Sequence, residues 1–95
     1  MLYARVATFQ NVADDIDQAI DHVRSRAEAD APPAGLEGAR MLMLVDRKTG
    51  KSLGISLFES EEALRRGDEA LNGLTPGTGR ARTSVEFFEV PVQRL

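Results

Sequence analysis

Cysteine is absent from the chain, which excludes disulfides and thiolate-bound metal. Histidine occurs once, at His22, too few for a metal site built on imidazole, so a mononuclear metal site is not expected. Tryptophan is absent too, and Tyr3 is the one tyrosine. Positive charge is not in excess: 12 Lys and Arg against 15 Asp and Glu give a formal net charge of -3. The basic residues are scattered among acids, which disfavours nucleic acid as a partner. No run approaches the roughly 20 apolar residues of a membrane span. The opening Met1-Leu2-Tyr3-Ala4-Arg5 has no basic segment leading into a long apolar stretch, so no secretory signal is expected. A cytoplasmic location is the default.

What is present fits an ordinary globular protein, with 42% hydrophobic and 28% charged residues. At 95 residues the chain has room for a single thin core, so residues 1–95 are expected to form one domain. Leu2 to Phe9 is rich in aromatic and β-branched residues and predicts a first strand. Asn11 is a candidate helix N-cap, with Asp14, Asp15 and Asp17 where the helix dipole favours negative charge. Ile16, Ala19, Ile20, Val23 and Ala27 then recur at helical spacing, and the helix is expected to stop before Pro32-Pro33.

Two apolar runs, Ala39 to Asp46 and Lys51 to Phe58, flank the polar turn Arg47-Lys48-Thr49-Gly50 and predict a β-hairpin. Ser60 is a good N-cap for a second helix carrying Leu64, Gly67, Leu71 and Leu74 along one stripe. That stripe is punctuated by Asn72-Gly73 and ends at Thr75-Pro76-Gly77. Arg82 to Val92 predicts the last strand, with Pro91 marking an edge or the end of its ladder. The order β-α-β-β-α-β is the ferredoxin-like pattern, an α+β domain with two helices on one face of a four-stranded antiparallel sheet.

The strands are apolar on both sides. Met41 and Met43 point one way while Leu42 and Leu44 point the other, and Val85 and Phe87 oppose Phe88 and Val90. Burying one such side chain is worth about 1.5–3 kcal/mol, so a face left bare of helices calls for another chain to cover it. A homodimer is the economical answer.

Three blocks then carry a resemblance. The opening Tyr3-Ala4-Arg5-Val6-Ala7-Thr8-Phe9-Gln10, the middle run from Val45 to Phe58 with Glu59-Ser60-Glu61-Glu62-Ala63-Leu64 after it, and the closing Val85-Glu86-Phe87-Phe88-Glu89-Val90 follow one another in order. Together they resemble the dimeric α/β-barrel superfamily, especially the antibiotic biosynthesis monooxygenase-like proteins. The resemblance implies a dimeric α/β barrel with a pocket between sheet and helices in each subunit. Some relatives oxygenate phenolic polycyclic substrates without metal or flavin, and others degrade haem. The former are associated with Asn, Trp, Tyr and Arg groups in the pocket; here asparagine stands only at Asn11 and Asn72. The latter rely on a histidine near the second helix, and that helix has none.

Among polar groups, Tyr3, Arg5 and His22 are the candidates for catalysis, with a solvated helix flank the simpler reading of His22 and core packing that of Tyr3. Met41 and Met43 suit an adaptable pocket wall or plain packing. Glu86 and Glu89 face opposite sides of their strand, so one needs a partner on an apolar face; Arg5 and Arg40 are the candidates. Gly50-Lys51-Ser52 lacks the preceding glycine and following helix of a phosphate loop and reads as a hairpin turn. Gly77-Thr78-Gly79 reads as a loop. Two functions stay open. One is a cofactor-independent, monooxygenase-like protein binding a small apolar or aromatic molecule. The other is a non-catalytic dimeric ligand-binding or stress-associated module.

Overall fold

The computed structural model describes residues 1–28, 34–74 and 80–94. Strand β1 (Leu2–Asn11) leads through a 3-10 turn (Ala13–Asp15) into helix α1 (Ile16–Ala27). Strands β2 (Arg40–Asp46) and β3 (Lys51–Phe58), helix α2 (Glu61–Asn72) and strand β4 (Arg80–Val90) follow. All pairings are antiparallel and the sheet order is β2-β3-β1-β4. This is the ferredoxin-like arrangement, with each helix connecting strands that are not sheet neighbours in sequence order.

Local chemistry accounts for most boundaries. Gly50 sits at φ +79 in the hairpin turn, where a Cβ would strike the Asn11 carbonyl, and its N–H donates to the Asp46 carbonyl at 2.9 Å. Ser60 Oγ accepts the Ala63 N–H at 3.0 Å, capping α2 as its sequence position predicts. Pro91 lies just past the last residue of β4. Both helices end before the expected stops: α1 at Ala27 and α2 at Asn72. Pro32-Pro33 and Thr75-Pro76-Gly77 lie outside the described residues, as does Gly77-Thr78-Gly79.

Asn11 is not the helix cap. It is the last residue of β1, and α1 starts at Ile16 with no side-chain cap. The Asn11 amide instead donates to the Gly50 carbonyl at 2.7 Å and to Ser52 Oγ at 3.0 Å, fastening the strand end to the hairpin turn. A carbonyl 39 residues away has taken the side chain that local preference assigned to the helix.

The register sorts side chains between the two faces. Tyr3, Arg5, Ala7 and Phe9 of β1 share the helix-bearing face with Phe58, Ser56, Gly54 and Ser52 of β3, and with Met41, Met43 and Val45 of β2. A register shift between Thr8 and Phe9 puts Arg82 opposite Phe9, so Arg82 joins this face as well. At one end of the face Leu36, Phe58 and Leu64 form a buried cluster, with Tyr3, Ala63 and Ala70 packed around it. Gly67 lets α2 sit directly on the Phe58 ring, which an added Cβ would penetrate.

The opposite face carries no helix. Across it run the rows Arg40–Leu57–Ala4–Phe88, Leu42–Ile55–Val6–Glu86 and Leu44–Leu53–Thr8–Ser84. Leu42, Leu44 and Phe88 are 49%, 47% and 49% exposed. The sheet is apolar on both sides, as its sequence predicts.

Candidate functional site

Three small residues hollow out the centre of the helix-bearing face. Gly54 pairs with Ala7, and Ser56 stands next along β3, so no long side chain rises from the middle of the sheet toward α1. A cavity of about 400 Å³ lies above them. Met41, Met43 and Val45 wall it from β2, and Phe9 closes it toward the hairpin turn. Ile20, Val23 and Ala27 of α1 form its roof, with Leu71 of α2 at the side. The volume falls in the range of small-molecule sites, roughly 300–1,000 Å³.

Arg5 is the buried charged group of this cavity, at 4% exposure. Burial of a guanidinium requires partners, and α2 supplies them. Arg5 Nε donates to Asp68 Oδ1 at 2.8 Å, and Nη2 donates to Asn72 Oδ1 at 3.1 Å. Asn72 Oδ1 also accepts from Arg82 Nη1 at 2.7 Å. Asp68 and Asn72 are four residues apart, so one face of α2 presents both acceptors to the sheet. At the opposite side, Arg24 and Arg26 of α1 border the cavity.

Of the three candidates from sequence, Arg5 alone lines the cavity. Tyr3 belongs to the packed cluster around Phe58. His22 is half-buried on α1, with Arg26 Nη2 2.9 Å from its Nε2; arginine carries donors only, so Nε2 accepts. Met41 and Met43 do form a pocket wall. Arg5 does not pair with Glu86 or Glu89: Asp68 holds it. Glu86 stands on the open face opposite Val6, and Glu89 on the helix-bearing face opposite Tyr3, both exposed and without an ion pair among the described residues. No group of three metal-ligating side chains occurs among the described residues, and no helix there is long and apolar enough to cross a membrane.

Asp68, Arg24 and Arg26 were not singled out as site residues from sequence, and Asn72 stood out there only at the helix end and as one of the two asparagines. One signal for Asp68 exists. It adjoins Gly67 within the apolar stripe of α2, where an acid needs a cation on the facing strand.

Fold and site together describe a ferredoxin-like α+β protein with an arginine-floored apolar cavity between sheet and helix. The crystal structure of a protein from Chloroflexus aurantiacus J-10-fl, described provisionally as an antibiotic biosynthesis monooxygenase, has the same fold. It aligns with a TM-score of 0.62 over 100% of this chain and 97% of that one, at 14% sequence identity. At that identity the likeness is one of fold. No family model and no curated protein matches the chain.

Proposed function

We propose that the chain is a single-domain homodimeric α/β-barrel protein of the cytoplasm, spanning residues 1–95, that binds a small apolar or aromatic molecule in the cavity beneath α1. The cavity carries this reading: about 400 Å³ over Ala7, Gly54 and Ser56, with methionine and aliphatic walls. The bare sheet face supports the dimer. Leu42, Leu44 and Phe88 lie across it, with Arg40 on one edge strand and Glu86 on the other. A two-fold axis makes an interface self-complementary, so opposite charges at opposite edges suit a second copy of the same face.

Binding without catalysis fits the lining better than oxygenation does. No histidine, tyrosine or carboxylate lines the cavity among the described residues, so no side chain there is suited to take a proton from a substrate. The second reading, oxygenation without metal or cofactor, draws on the resemblance of the three sequence blocks, and the Chloroflexus protein, described provisionally as a monooxygenase, shares the fold. In that case Arg5 would steady a developing oxyanion, and Tyr3 and His22 would act from outside the lining.

Oxygen uptake with a panel of quinols and anthrones separates the two. The binding reading predicts no member faster in the presence of wild-type protein than with an Arg5→Met control. Uptake that exceeds this control supports the oxygenase. Native mass spectrometry is expected to report a dimer, and a monomer at high concentration contradicts the barrel.

A further inference from the structure

Although Arg24 is paired with Asp21 at 3.6 Å on the exposed side of α1, the charged side chains that line the cavity are all of one sign. Arg5, Arg24 and Arg26 border it, and no Asp or Glu does among the described residues, although the chain as a whole carries a net charge of -3. Asp68 lies behind Arg5 and balances it, but Arg82 joins the same cluster through Asn72, leaving two guanidiniums against one carboxylate. Arg5 has five N–H donors and spends two, on Asp68 and Asn72. The others meet no acceptor among the described residues, although the side chain is 4% exposed. Arg5 lines the cavity, which is the open space where an acceptor could meet them.

We infer that the cavity selects an amphipathic anion, an apolar body carrying one carboxylate or phenolate oxygen that Arg5 receives. The inference rests on the cavity being a binding site and adds the charge of its occupant. Met41, Met43, Val23 and Ile20 take the apolar body, and a charge-assisted bond to Arg5 fixes the end that carries the oxygen.

Three probes with one ring system test this on the full chain by fluorescence titration at neutral pH: 9-anthracenecarboxylate, 9-anthracenemethanol and 9-(aminomethyl)anthracene. The carboxylate is expected to bind at least tenfold tighter than the alcohol, with the amine weakest. In the doubly substituted Arg5→Met/Asp68→Leu protein, which removes both charges together, the preference is expected to fall below threefold while the alcohol affinity holds. Equal binding of carboxylate and alcohol by the wild-type protein overturns the anion selectivity and leaves the cavity reading standing. Undiminished preference in the folded double variant also overturns it. No binding by any probe removes the cavity reading and this inference with it. Should the double variant fail to give a wild-type circular dichroism spectrum, the wild-type ratio of carboxylate to alcohol affinity decides alone.

Discussion

Two helices of equal length, 12 residues each, lie over one sheet, yet the space beneath them is used in opposite ways. Under α2 the strands offer Phe58 and Tyr3, and Gly67 brings the helix down onto the Phe58 ring. Under α1 they offer Ala7, Gly54 and Ser56, and a cavity is left. Side-chain size at a few register-matched strand positions makes this difference, together with the missing side chain of Gly67 on α2, and the Arg5–Asp68 pair marks the seam between the filled end and the hollow one. Stability is concentrated where packing is complete, and binding capacity where it is withheld.

Substitutions on either side of that seam sharpen or break the contrast. Phe58→Ala empties the filled end and is expected to cost about 3–5 kcal/mol, read as a lower urea midpoint with an unchanged slope. Asp68→Ala leaves the Arg5 guanidinium buried without its carboxylate. Removing one partner of a fully buried pair costs about 3–5 kcal/mol; Asp68 retains 28% exposure, so roughly 2–3 kcal/mol is expected from the same denaturation series. Gly67→Ala gains about 1 kcal/mol of helix propensity. It also drives a methyl into the Phe58 ring, at an overpacking cost of about 1–3 kcal/mol. Net destabilisation is the expected outcome, and stabilisation would mean that α2 does not rest on Phe58.

The element order, the hairpin at Arg47 to Gly50, the bounds of β3 and the Ser60 cap were legible because each depends on neighbours in sequence. The doubly apolar strands were legible because period-two alternation either occurs or does not. What escaped depends on residues far apart. Asn11 had a sound local reading as a cap, and the distant Gly50 carbonyl and Ser52 hydroxyl outbid it. A buried arginine on β1 announces that an acid must lie near. Read from sequence, Glu86 and Glu89 are the candidates for that part, and only the docking of α2, 63 residues on, brings in Asp68. The resemblance implied a pocket between sheet and helices, but the residues of its floor were hidden for the same reason. Ala7, Gly54 and Ser56 are unremarkable singly and become a floor when the β1–β3 register sets them side by side.

Gly54→Leu puts the contrast between filled and hollow ends to its most direct test. A Cβ at Gly54 meets only Phe9 Cε2, at the ordinary contact distance of 3.7 Å, so stability is expected to change by less than about 1 kcal/mol. The isobutyl group then occupies the floor between Ala7 and Met43. Titration of 9-anthracenemethanol is predicted to show saturable binding, one molecule per chain, in the wild-type protein and none in the variant. Equal binding by both proteins would contradict the assignment of the site to the hollow beneath α1.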